Sequence, residues 1–252
     1  MLTKRLLELA FVFLFLLLAS AALWFTDADR LIIATLVPRD LSIAAVLPAS
    51  SWAWPAGNIF PWSQLYHWAA VPAMLIAAAA LLALLAGFVA GRWTDWRRPA
   101  LFILLFIAVG PGLTVNLLLK EQVGRARPRE IVEFGGSHQF TQFWQPGDAG
   151  GNSSFPSGHA AIAFFTIAPW FALRGRHRKT AAAFLGLGLT FGVLVGIARI
   201  LQGGHFASDI LWAGGLLYLI GGGLALLMGL EAAEQEAEFL PSGQARPDRA
   251  ES

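Results

Sequence analysis

The sequence predicts an all-α integral membrane bundle of six transmembrane helices, with polar loops gathered on one face. Three observations predict it. Of 252 residues, 56% are hydrophobic and only 13% charged, against roughly 25% charged in a soluble domain, and the mean hydropathy is +0.60. Apolar runs of about the 20 residues that cross a bilayer core recur along the chain. Lysines and arginines collect at alternate ends of those runs. A net charge of +2 implies no broad nucleic-acid surface. The lack of cysteine excludes a disulfide framework, a thiolate metal site and a cysteine nucleophile.

The first run, 6–25, follows Lys4 and Arg5 and carries one charge, Glu8. It is read as a retained helix, although its basic start, apolar centre and Ala19-Ser20-Ala21 also fit a signal peptide. Residues 26–66 are mixed: charges from Asp27 to Asp40, then Trp52, Trp54 and Trp62 among prolines. A short interfacial or packed helix within 31–47 and an aromatic loop at headgroup level are expected there. Further spans are expected at 67–90, 99–119, 159–173 (short), 180–198 and 210–230. The glycines of the last two spans suit close helix approach. The organisation is thus an N-terminal helix and aromatic segment (1–66), a transmembrane core (67–230) and an acidic tail (231–252) expected to be disordered on the cytoplasmic side.

With six spans, Lys4/Arg5, Arg92/Arg97/Arg98 and Arg174/Arg176/Arg178/Lys179 share one side, the cytoplasmic side by the positive-inside rule. Residues 26–66, 120–157 and 199–208 then face outward. The last two keep positive charge on the side the rule disfavours, which points to an anionic ligand.

Three polar islands stand out. In the third, His205 and Asp209 are four apart, on one face of a helix starting near His205. A carboxylate behind an imidazole fixes its tautomer and leaves the other nitrogen free to attack. Arg199 can clamp a phosphate bidentately. In the second, Pro156-Ser157-Gly158 turns into a helix near His159. Backbone N–H groups at a helix start bind anions, and His159 is placed to protonate a leaving oxygen. In the first, Lys120, Arg125, Arg127 and Arg129 crowd into ten residues, as charge stabilisation of a transferring phosphoryl group requires. Taken singly, each island also has an ordinary reading: a helix cap, a snorkelling arginine, attraction to lipid headgroups.

Taken together, Lys120 with Arg127-Pro128 seven residues on, Pro156-Ser157-Gly158-His159, and Arg199 followed by His205 and Asp209 resemble the type 2 phosphatidic acid phosphatase superfamily over residues 67–230. Ala198 stands where that family often has serine. The resemblance implies that Lys120, Arg127, Ser157, Gly158 and Arg199 bind phosphate. It implies His159 as general acid, His205 as the nucleophile that becomes a phosphohistidine, and Asp209 as its orienting partner. No metal and no other cofactor is implied. The long loop with Glu133-Phe134-Gly135-Gly136 is similar to that of bacterial lipid A phosphatases, though without their frequent cysteines; Arg125, Phe140 and Trp144 are its candidate substrate contacts. His67, His138 and His177 are read as structural or surface residues.

The expectation is therefore a multi-pass protein of a bacterial inner membrane with a periplasmic active site. Its partner would be a lipid phosphate: lipid A, an isoprenyl diphosphate, phosphatidylglycerol phosphate or phosphatidate. A phosphotransferase sharing the intermediate, and a non-enzymatic phospholipid-binding or transport protein, are the rival readings. The sequence does not specify an oligomeric state.

Overall fold

The computed structural model describes residues 2–37, 54–150 and 153–230. The tail 231–252, the second half of the expected helix within 31–47, Trp52 and Asn152 lie outside the described residues.

Among the described residues every regular element is helical. Five helices are long and apolar enough to cross a membrane: α1 (Leu2–Phe25), α3 (Trp62–Val89), α4 (Trp93–Gln122), α6 (Arg178–Leu201) and α7 (Ala207–Leu227). A short α2 (Ala28–Leu36) follows α1. The sixth apolar segment, α5 (Gly158–Leu173), is shorter. At 1.5 Å per residue it reaches about 24 Å, less than the roughly 30 Å hydrocarbon core. Its position explains this. Nearly every residue from Ala160 to Ala172 is buried, so α5 is sheathed by other helices rather than by lipid. A helix with no lipid-facing side has no reason to match the bilayer.

The core forms around α5. Phe102 and Phe106 of α4, Phe165 and Phe171 of α5 and Leu217 of α7 are buried together, with the Phe106 and Phe165 ring centroids 5.3 Å apart. The glycines of α6 serve close approach: a side chain on Gly192 would run into the Phe164 ring, and one on Gly196 into Ile210. The second half of α4 widens into a π-helical stretch, Ala108–Leu119, containing Pro111. Proline cannot donate to the helical ladder, and wider turns absorb the break. Asn116 Nδ2 donates to the Pro111 carbonyl at 2.7 Å.

The two ends of the bundle are tied differently. At one, Glu8 of α1 accepts from Arg174 (3.0 Å) and from the Tyr218 hydroxyl (2.6 Å). Nearer the other end, Trp212 Nε1 donates to Ser20 Oγ at 2.9 Å. At the other end, the close of α1, the starts of α3, α5 and α7 and the closes of α4 and α6 surround one polar cluster.

Candidate active site

Backbone hydrogen bonds draw the three islands together. Residues on either side of 151–152 are bonded to the end of α4 and the turn after it: Gly147 N–H donates to the Val123 carbonyl (2.9 Å), Ser153 N–H to Lys120 (3.0 Å) and Ser154 N–H to Arg125 (2.7 Å). Ser157 N–H donates to the Asp209 carbonyl (3.2 Å), and Arg129 N–H to the Gly203 carbonyl (3.1 Å). Each island is therefore bonded to another through main chain, which fixes position more firmly than flexible side chains do.

Ser157 caps α5, its hydroxyl accepting from Ala160 N–H at 3.3 Å. A side chain at Gly158 would meet Asn116 Oδ1 and stand 3.7 Å from Lys120 Nζ, so glycine lets Lys120 approach the helix start. Lys120, Arg127 and Arg199 all lie within electrostatic reach of His159. The His159 ring also lies against Tyr66, with centroids 4.7 Å apart. Arg199, buried in the last turn of α6, sets its guanidinium 4.7 Å over the same Tyr66 ring.

His205 is 1% exposed. Its Nδ1 is 2.7 Å from the Ser154 carbonyl and 3.5 Å from Asp209 Oδ2. The carbonyl can only accept, so Nδ1 carries the proton and Nε2 keeps its lone pair. Burial pushes the imidazole down to about 4; the Asp209 carboxylate opposes this and the Arg199 charge adds to it. His205 is consequently neutral at pH 7. Asp209, expected to orient His205 directly, sits beyond good hydrogen-bond distance. It accepts from the Ser154 hydroxyl, Phe206 N–H (2.8 Å) and Arg125 Nη1 (2.6 Å). The Phe206 bond is half of a helix-capping arrangement at the start of α7.

Arg125 requires a correction. The sequence suggested a substrate contact, but Arg125 is 0% exposed. Its guanidinium donates to Thr141 O (3.0 Å), Ser208 Oγ (2.8 Å), Asp209 Oδ1 (2.6 Å) and Asp29 Oδ2 (2.9 Å). It also lies 4.2 Å over the Phe206 ring. These partners take four of its five N–H donors and hold its charge in the interior, away from a ligand. Phe140, the second candidate contact, is partly buried and packs edge-on against Phe206 at 5.4 Å, at the margin of a buried cluster. Trp144 remains 47% exposed beside Trp212 and Phe155.

Asp29 is a buried carboxylate of the site that sequence reasoning missed. It is 1% exposed and accepts from Arg125 Nη2, Ser208 N–H (2.9 Å) and Ser208 Oγ. One arginine thus joins two buried carboxylates, with N–H and O–H donors compensating the excess negative charge. Tyr66 and Asn116 also went unnoticed. Of the histidines set aside, His138 pairs with Asp148 at 3.0 Å and His177 stacks on Trp96, while His67 lies beside the site against Tyr66.

A buried neutral histidine, clustered cations and a capped helix start thus meet at one end of an apolar helical bundle, and the comparisons with known proteins show its family. The family model described as PAP2 superfamily matches residues 99–230, and the chain belongs to that superfamily. It is 34% identical over 125 residues to the lipid A 4'-phosphatase of Francisella tularensis subsp. novicida (strain U112), covering 49% of this chain and 55% of that one. It is 31% identical over 132 residues to the lipid A 4'-phosphatase of Rhizobium leguminosarum, covering 51% and 53%. It is 28% identical over 116 residues to the phosphatidylglycerophosphatase B of Bacillus subtilis (strain 168), covering 43% and 49%. The chain spans about half the length of the curated relatives it matches. No solved structure shows significant similarity to it.

Proposed function

We propose that this protein is a metal-independent membrane lipid phosphatase working through a phosphohistidine at His205. The observation that carries the reading is the meeting of three distant islands around a buried, neutral His205 whose Nδ1 is occupied by a backbone carbonyl. Lys120, Arg127 and Arg199, with the Ser157 hydroxyl and the Gly158 backbone, hold the phosphate. His205 Nε2 attacks phosphorus, and the bond from phosphorus to the lipid oxygen breaks. His159 protonates that oxygen as it leaves. Water, losing its proton to His159, then attacks the phosphohistidine and releases inorganic phosphate. Asp209 positions His205 through Ser154 and the start of α7.

On this reading residues 67–230 form the catalytic core, α5 is the sixth span, and the site faces the periplasm of a bacterial inner membrane. The positive-inside pattern of the loops at the opposite end supports that orientation. The substrate is a phosphate monoester or diphosphate of a membrane lipid: lipid A, an isoprenyl diphosphate, phosphatidylglycerol phosphate or phosphatidate. Relatives named as phosphatases of lipid A and of phosphatidylglycerol phosphate support this range.

The test is phosphate release by the purified protein in detergent with EDTA, from a panel of these four lipids. Release from at least one, lost in His205→Ala, is expected. No release from any, with labelled phosphate passing instead to a second lipid, would replace the hydrolase by a transferase. Neither release nor transfer from the folded protein would leave only a binding role.

A further inference from the structure

Beside the phosphate site lies a second cavity of about 250 Å³, lined by Trp54, Asn58, Ser63, Tyr66, His67, Arg129, Arg199 and Gln202. It has room for several waters at about 30 Å³ each, or for one polar group the size of a phosphate. Among the described residues, two arginines share its wall and no carboxylate does. Arg199 gives one N–H to Gln202 Oε1, while its Nε is buried without a hydrogen-bond partner. The Arg129 main chain is fixed by the Gly203 carbonyl, leaving its side chain as a half-buried cation. Like charges set together away from bulk water repel, and a buried donor left unsatisfied is costly. An anion in the cavity removes both costs.

The far wall is supplied by residues 54–67, outside the 99–230 stretch that the superfamily shares. Gln202 Nε2 donates to the Gly57 carbonyl at 3.1 Å, pinning that segment against the end of α6. Asn58 and Ser63 add neutral polar atoms. His67 Nδ1 donates to the Ser63 carbonyl at 2.6 Å, which fixes its ring in the wall. Tyr66 lines this cavity and also packs against the His159 ring, so the cavity adjoins the phosphate site.

We infer that this cavity is a subsite for a second acidic group on the same lipid head, so that the preferred substrate carries two anionic groups close together: one reacting at His205, the other held by Arg129 and the outer edge of Arg199. The inference rests on the proposed phosphatase reading.

The test compares phosphatidylglycerol phosphate, which has a second phosphate, with phosphatidate, which has one, on the full chain in detergent. Wild type favours the former in kcat/KM. Arg129→Ala raises KM for phosphatidylglycerol phosphate roughly tenfold, the scale of one charge-assisted hydrogen bond, with kcat kept. The KM for phosphatidate and inhibition by inorganic phosphate move less than twofold. Because Arg129 joins Gly203 through its backbone, alanine preserves that link, and Arg129→Gln provides a second variant of similar size. An equal KM rise for both lipids, or weaker phosphate inhibition, would overturn the inference by making Arg129 part of the reacting clamp. No change for either lipid would overturn it by leaving the cavity to solvent. Absence of phosphate release from both lipids and the rest of the panel by wild type would instead count against the phosphatase reading itself.

Discussion

Asp29→Ala is the most demanding test of how this site is held. The change removes an acceptor for Arg125 Nη2, Ser208 N–H and Ser208 Oγ at a position 1% exposed. It leaves a fully buried guanidinium with Asp209 as its one remaining carboxylate in the cluster. Breaking a buried pair from one side costs about 3–5 kcal/mol, because the surviving charge stays desolvated. In a chain of this size each kcal/mol moves Tm by about 2–4 °C, so Tm should fall by about 6–20 °C. Near-UV circular dichroism on heating, in one detergent, measures it. The exposed pair between Arg30 and Glu133 serves as the contrast. Surface ion pairs contribute about 0–1 kcal/mol, so Arg30→Ala should move Tm by less than about 4 °C. If Asp29→Ala shifted Tm no further than Arg30→Ala, the account of a load carried by the buried Asp29–Arg125–Asp209 cluster would be refuted.

Other expectations follow from the same geometry. His205→Ala should abolish turnover yet still bind vanadate, because the cationic clamp remains. Arg199→Ala should weaken both by at least tenfold, and normal turnover in His205→Ala would remove it as nucleophile. Stability should fall on acidification: His205 has a pKa of about 4 in the fold against an ordinary 6.5. The unfolded chain therefore takes up a proton that the folded one refuses as pH drops from 6.5 toward 4, costing about 3 kcal/mol across that window. Tm measured from pH 7 to pH 5 should decline, with a shallower slope in His205→Gln; identical slopes would contradict the neutral buried imidazole.

What the sequence revealed and what it concealed differ in physical kind. Helical spans were legible because apolar length is written into composition, and Glu8 could be placed near a helix end though not its partners Arg174 and Tyr218. The islands were legible because spacing within each is local. Arg125 was not, since Arg125, Arg127 and Arg129 look alike in sequence and only burial separates the first from its neighbours. Nor could Asp29 be distinguished among the charges of residues 27–40, because its partners lie 96 and 179 positions away. The partner of His205 Nδ1 is a carbonyl, which every residue has, so no residue type could announce Ser154. The shortness of α5 was legible, but not its cause, a helix enclosed by protein.

The central claim is a covalent phosphate on His205, and the most direct measurement is to trap it. The purified protein, mixed with a lipid labelled in its phosphate and quenched within milliseconds in alkaline denaturant, should carry label that survives alkali and is lost in acid, as a phosphoramidate does. That label should map to the peptide containing His205 and be missing from His205→Ala. Release of phosphate at the normal rate with no such label at any quench time would contradict the account and point to direct attack by water.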